Sequence, residues 1–310
     1  MHRIVDIATE GLYLCVKRGF LQIKSDDQEI GRVPLDDIGG VVIHARSTIV
    51  SNSLMCALAE RGALIVSCGA NYAAAAVSVP LVGHHAQTAR MIAQAESALP
   101  LKKRMWQQIV MRKIRMQARA LDACGAGAEG FVLLERSVRS GDPENIEARA
   151  AQRYWPRLFG TSFRREQNGG GVNGLLNYGY AVVRAAVGRS IVASGLNPSI
   201  GLHHHNRHNP FALADDLIEP FRPLVDLTAL GLVRSGIAEV TPDAKRRFAE
   251  LLNFDLSSRG ETSPVFREIL TLSQSLARSF LDARPSLDLP ALSASEAELL
   301  VQGHIAQCQS

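Results

Sequence analysis

The stretch GLHHHNRHNPFALADDLIEPFRP, residues 201–223, places His203, His204, His205 and His208 within six positions and follows them with Asp215, Asp216 and Glu219. Imidazoles and carboxylates at this density suit a metal site, an acid–base site or a satisfied polar loop. Three adjacent histidines cannot all converge on one ion unless the backbone is irregular. Neither HExxH nor CxxC occurs elsewhere to complete a closed tetrahedral zinc site. An oxygen-rich donor set with one imidazole instead suits Mg2+ or Mn2+, which prefer carboxylates and keep several waters.

Pro210 is expected to open a helix through FALADDLIEPF that weakens at Pro220. Asp216 and Glu219, three apart, share a face of it, whereas Asp215 points elsewhere as a solvated or capping group. Arg222, six residues past Asp216, lies roughly 240° farther round at about 100° per residue. There it either holds a carboxylate or touches a phosphate. A second acidic segment is GDPENIEARAAQRYW. Asp142 is a good N-cap, Pro143 fits the first helical position, and Glu144 falls in the first turn. Glu147 is then one turn deeper, with Ala148, Ala150 and Ala151 around it. Taken alone, it reads as an exposed glutamate with space beside it for a ligand or another helix.

The elements that must position these groups divide the chain in two. In residues 1–80, strand-like runs (LYLCV, GFLQIK, IGRVPL, GGVVIHA, ALIVSC) alternate with turns, and one helical segment, SNSLMCALAERG, interrupts them. This predicts a small β-rich domain of antiparallel strands with one helix beside it. Residues 81–86, LVGHHA, read as a linker whose His84 and His85 are exposed rather than ligating. From there to 284 the texture is helical, with segments at 86–98, 101–121, 128–138, 143–154, 174–193, 211–230, 242–252 and 263–281. Residues 285–310 read as a loosely packed tail. The fold class is therefore α+β, a small N-terminal β-rich domain followed by a larger all-α domain.

With 310 residues and 46% hydrophobic content, the chain can bury a sizeable core, and it carries no apolar run long enough to span a membrane. No signal peptide is read at the N-terminus, and the five scattered cysteines read as free thiols of a reducing cytoplasm. A net charge of +4 says little. Its distribution says more: residues 101–121 hold seven basic side chains and no acidic one, among them Lys102, Lys103, Arg104, Arg112, Lys113 and Arg115. With Arg164 and Arg165 they form a candidate surface for a phosphate backbone, set against the alternative of a solvated helix face.

The segments ENIEARAAQRYWPRLFG, FRREQNGGGVNGLLNYGYAVVRAAV and SGLNPSIGLHHHNRHNPFALADDLIEPFRPLVD, with DDIGGVVIHARSTIVSN and ERGALIVSCGANY nearer the N-terminus, occur in one order across most of residues 1–280. This ordered set resembles the CRISPR-associated integrase family, the catalytic subunit of the spacer-acquisition complex, in its type II form. The resemblance implies an N-terminal dimerisation domain and a helical catalytic domain whose metal ligands are a glutamate, a histidine and an acidic residue. Matched motif by motif, these fall on Glu147, His204 and Glu219, with Asp216 and Arg222 supporting; Asn177 and Tyr178 of the NYGY segment read either as side chains near the site or as structural, Tyr178 and Tyr180 then being core aromatics. His203 and His205 then point away.

The implied chemistry is DNA transesterification with Mg2+ or Mn2+: the 3′-hydroxyl of a short duplex attacks a phosphodiester at the leader–repeat junction of a CRISPR array. The implied assembly is two integrase dimers bridged by a dimer of a small ferredoxin-like partner (a 4:2 complex), which the type II effector nuclease and an accessory protein join. Two other readings stand beside it. One is a structure-selective nuclease of branched DNA using the same residues. The other is a DNA-binding scaffold whose acidic cluster is structural.

Overall fold

The computed structural model describes residues 3–69, 74–78, 80, 84–204 and 209–303. The N-terminal part holds β1 (Arg3–Ile7), β2 (Tyr13–Lys17), β3 (Phe20–Ser25), β4 (Gln28–Pro34), β5 (Ile38–Ile43), β6 (Ile49–Val50), α1 (Asn52–Glu60), β7 (Leu64–Cys68) and β8 (Ala74–Ser78). They make two four-stranded sheets, ordered β1-β5-β7-β8 and β4-β3-β2-β6. The expectation of antiparallel strands throughout is corrected here. The β1–β5, β5–β7 and β2–β6 pairs are parallel, and only β2–β3, β3–β4 and β7–β8 are antiparallel.

Connection length explains the difference. Arg18–Gly19 and Asp26–Asp27, all at positive φ, are two-residue turns that reverse the chain at once. Between β5 and β7 the chain instead runs through α1, long enough to bring the second strand back in the same direction. Every residue of β5 is buried, as a central parallel strand covered on both faces requires. On one face Ile38 and Val41 join Leu14, Leu21, Leu54 and Leu58. On the other, Val42 and Val66 meet Ala185.

The remainder holds α2 (Gln87–Glu96), α3 (Leu99–Ala123), α4 (Phe131–Ser137), α5 (Ile146–Phe159), α6 (Val172–Ala193), α7 (Ala212–Leu217), a 3-10 turn at Glu219–Phe221, α8 (Arg222–Arg234), α9 (Pro242–Leu251), α10 (Val265–Leu281) and α11 (Ala294–Gln302). α3 lies at its centre, packed by α4, α5, α8 and α11. α6 carries the contact with the sheet, and Gly188 shows how close it comes: an added Cβ would sit 2.4 Å from Phe211 and 3.3 Å from Leu64. None of the described helices is long and apolar enough to cross a membrane.

Three further expectations are corrected. The helical part is not all-α, because β9 (Asp255–Ser258) and β10 (Glu261–Pro264) form an antiparallel hairpin around Arg259–Gly260, both at positive φ. The helix expected over 211–230 does weaken at Pro220, as its missing amide donor implies, but goes further than weakening: α7 ends at Leu217 and the chain takes a 3-10 turn at Glu219–Phe221 before α8. Nor is the segment after Pro285 loosely packed. Pro285 O accepts from Gln108 Nε2 at 3.2 Å, and Leu287 N donates back to Gln108 Oε1 at 3.3 Å. Ser293 and Glu296 form a capping box that starts α11. Glu296 also accepts from Ser257 N at 2.6 Å, tying α11 to the hairpin. Cys308 and the other residues after 303 lie outside the described residues.

Leu300 of α11 is 2% exposed. Leu300→Ala is expected to lower stability by about 2–5 kcal/mol in urea unfolding, as deleting buried methyl groups does. A loss below roughly 0.5 kcal/mol, the ordinary range for a surface change, would mean that α11 does not dock.

Candidate active site

The buried face of α3 includes Met105, Trp106, Ile109, Val110, Lys113, Ile114, Met116, Gln117 and Ala120, so one lysine sits in register with the apolar stripe. Lys113 is 6% exposed. Its ammonium hydrogen-bonds Oε1 of Glu147 on α5 and Oε2 of Glu219 in the 3-10 turn. The assignment of Lys113 to a DNA-facing surface is thereby corrected. Burial works against its charge, but Glu219 and then Glu147 outweigh that and raise its pKa.

Glu147 reaches this point from the first turn of α5, not from one turn deeper. The helix begins at Ile146, and Asp142 caps it from outside: its Oδ1 accepts from Ile146 N at 2.9 Å and its Oδ2 from Glu147 N at 3.0 Å. Asp142 and Asn145 both take positive φ, so Pro143 and Glu144 occupy a turn ahead of the helix.

The histidine loop is organised by Asp216, which is fully buried. Its Oδ2 accepts from Leu202 N at 2.6 Å and His203 N at 3.2 Å, and its Oδ1 from His204 N at 3.2 Å. His204 Nδ1 lies 2.7 Å from the same Oδ1. That hydrogen bond, ahead of the opposing effect of burial, raises the His204 pKa, and Glu219 adds to the rise. A proton held on Nδ1 leaves Nε2 as the donor atom, the arrangement in which a carboxylate orients a ligating histidine. His203 turns the other way, its ring stacked on Trp106 at 4.4 Å with 2° between planes. His205 and His208 lie outside the described residues. Gly201 is dictated by this crowding: a Cβ there would sit 2.6 Å from His204 O and 2.8 Å from Asp216 Oδ2.

Behind the carboxylates, Arg222 Nε donates to Glu219 Oε1 at 2.8 Å, and its guanidinium lies 4.6 Å from the Tyr180 ring centroid. Burial alone would raise the Glu219 carboxyl, yet Arg222 and then Lys113 hold it at about 2. The Tyr180 hydroxyl donates to Asp226, whose carboxyl is pushed up to about 7, burial outweighing that hydrogen bond.

The other expected residues are distributed as follows. Asn177 accepts from Arg165 Nη2 at 2.6 Å and donates to Gln167 O at 2.7 Å, so it fixes the loop before α6. Tyr178 is fully buried against the rings of His44 and Phe248, where it packs at the sheet contact. Asp215 is not free in solvent: Arg184 grips it at 2.6 and 3.0 Å. Arg165 is half-buried over Tyr180, at 5.5 Å from its ring. Lys103, Arg104, Arg115 and Arg164 are exposed, with Lys102 and Arg112 half-buried beside them. Arg115 is paired with Glu135, and Arg164 donates to Thr161 O and Phe163 O of its own loop. His84 Nδ1 accepts from Ala86 N at 3.0 Å ahead of α2.

Sequence reasoning missed Lys113, Trp106 and Asp226. Phase narrows the choice, since Lys113 is four residues after Ile109 and three before Met116 while Arg104 and Arg115 fall outside the stripe, but Lys102, three before Met105 and four before Trp106, shares that phase, so phase alone does not single out Lys113.

Among the described residues, no three His, Cys, Asp or Glu side chains are gathered closely enough to form a coordination shell. The Lys113 ammonium stands between the two glutamates. The donor chemistry nonetheless fits a hard divalent cation, since two carboxylates converge on one positive charge beside an imidazole oriented through Nδ1.

A family model described as CRISPR associated protein Cas1 matches residues 5–250. The CRISPR-associated endonuclease Cas1 of Neisseria meningitidis serogroup C (strain 8013) is 42% identical over 229 residues, covering 73% of this chain and 75% of that protein. A casposase bound to integration product shares the fold with a TM-score of 0.78 at 19% identity, over 92% of each chain. A chain of a Cas6-RT-Cas1–Cas2 complex does so with a TM-score of 0.74 at 15% identity, over 93% of this chain and 36% of that one.

His204 is expected to titrate above the ordinary 6.5, and Asp216→Asn to bring it down. An imidazole raised in the folded state contributes stability that is complete below 6.5 and is lost as pH rises through the raised value. An NMR titration, with the His204 resonance assigned through His204→Gln, checks this. A wild-type midpoint no higher than that of Asp216→Asn would remove the contact from the account.

Proposed function

This chain belongs to the CRISPR associated protein Cas1 family, and on that premise we propose that it is a CRISPR adaptation integrase of the type II kind. It joins short duplexes to the leader–repeat junction of a CRISPR array. One observation carries the reading: Glu147 and Glu219, from separate elements, meet on a single positive charge, and Glu219 is near enough to raise the pKa of the imidazole that Asp216 fixes.

Glu147, His204 and Glu219 would hold Mg2+ or Mn2+, which when bound polarises the scissile phosphate and stabilises the charge developing there. Asp216 keeps the His204 proton on Nδ1, and Arg222 holds the Glu219 carboxylate ionised and in place. No side chain acts as nucleophile. A 3′-hydroxyl of the incoming duplex attacks the phosphorus and gives up its proton as the new P–O bond forms. The 3′-oxygen of the array strand leaves and takes up a proton. Water in place of the 3′-hydroxyl turns the same site to cutting, and the name of the Neisseria relative, an endonuclease, favours that second reading.

Residues 1–80 would serve dimerisation and residues 87–284 would hold the chemistry, with 81–86 between them. Two dimers would assemble with a dimer of a small ferredoxin-like partner, joined by the effector nuclease and an accessory protein of type II systems, in the cytoplasm. The solved Cas6-RT-Cas1–Cas2 complex and the casposase bound to integration product, which share this fold, support a Cas partner and a DNA substrate. Duplex backbone would lie along the exposed cations, Lys103, Arg104, Arg115 and Arg164, flanked by Lys102 and Arg112.

Glu147→Ala, His204→Ala and Glu219→Ala are each expected to abolish metal-dependent joining of a labelled duplex to a plasmid carrying a CRISPR repeat, with the small partner present and the fold retained by circular dichroism. Cutting without joining would favour the nuclease. Full joining by all three variants would leave only a scaffold. Replacing Lys103 and Arg104 by Ala is expected to reduce the slope of log affinity against log salt by about 0.9 for each phosphate no longer neutralised. An unchanged slope would move the duplex to another face.

A further inference from the structure

Both carboxylate oxygens of Glu219 already carry a cation. Oε1 accepts from Arg222 at 2.8 Å and Oε2 from Lys113, which also takes Oε1 of Glu147. A divalent ion bound by both Glu147 and Glu219 would lie against the ammonium that bridges them, and two positive centres that close repel strongly in a buried site.

The two resident cations are not equally free to move. Arg222 is pinned from two sides, in the plane by Glu219 three residues earlier and across its face by the Tyr180 ring at 4.6 Å. Lys113 ends a four-carbon stem with rotatable bonds, and among the described residues its ammonium holds the two glutamates. Trp106, two turns earlier on α3, stacks on His203 and meets His204 edge-on at 5.9 Å, so the same helix that delivers the ammonium also buttresses the imidazole.

Resting on the metal site proposed above, we propose that Lys113 is a resident counter-cation that a divalent ion must displace from Glu147 and Glu219, so that it sets the metal affinity of the site. It neutralises the glutamates while the ion is absent, and it weakens ion binding by the cost of its own displacement. The ion and the ammonium are alternative occupants of one position.

The experiment is Mn2+ binding to the chelator-treated full chain, read from the electron paramagnetic resonance of the free ion. It compares the wild type with Lys113→Met, Lys113→Arg and Glu147→Gln. Lys113→Met, similar in length and uncharged, is expected to bind Mn2+ about tenfold tighter or more and to melt earlier in chelator. Lys113→Arg, which keeps the charge, should gain nothing. Lys113→Met binding no tighter than a wild type whose Mn2+ is lost in Glu147→Gln would overturn this inference and leave the metal site standing. Absence of Mn2+ binding at Glu147 in the wild type and in Lys113→Met alike would overturn both.

A second measurement needs no variant. Reductive methylation of the wild type, followed by peptide mass analysis, is expected to spare Lys113 in chelator and to modify it when Mn2+ is bound. Equal protection in both states would count against displacement.

Discussion

Negative charge enclosed by helices is the constraint to which the rest of this molecule answers. Asp216, Glu219 and Asp226 are all buried within eleven residues of chain, and an unpaired buried carboxylate costs several kcal/mol. Each is satisfied by a different physical route. Asp216 receives three backbone N–H groups and an imidazole. Glu219 receives two cations. Asp226, which has the Tyr180 hydroxyl, has its pKa moved to about 7 and so holds a proton for much of the time at neutral pH. These routes account for several otherwise odd residues: a lysine in the apolar stripe of α3, a glycine at 201 and an arginine laid on a tyrosine ring.

The helical content was legible from periodicity because long amphipathic segments declare their own faces. The breaks were less so. Pro220 signals a weak point, but a 3-10 turn rather than a simple end depends on how the turn packs against α3. Strand direction was misread for a similar reason. Alternation reports which residues share a face and says nothing of whether the neighbouring strand is parallel, which follows here from the crossover through α1. The tail was misread because its anchors are long-range: Gln108 and Ser257 lie 179 and 39 residues from the backbone or side-chain groups they bind.

Within the site, the order of motifs pointed to Glu147, His204 and Glu219, and spacing paired Asp216 with Glu219. Charge counting failed at Lys113, since a basic run treated as one surface conceals the member that the core encloses, and phase alone does not separate it from Lys102. The neighbours of the three carboxyl-bearing elements also could not be read locally. Trp106 is ninety-seven residues before the histidine ring on which it stacks, and no local pattern reports such a contact.

The docking of α11 has a consequence for how the protein is made. This helix closes over α8 and α3, the helix that carries Lys113 and Trp106, and its capping carboxylate also fastens the β9–β10 hairpin. During synthesis from the N-terminus, the strands of the two four-stranded sheets are all out by residue 78, but the surface of α3 and α8 that α11 covers stays open until residues 294–302 have left the ribosome. The nascent chain therefore passes through a stage with its N-terminal β part synthesised and an apolar groove uncovered beside the future site.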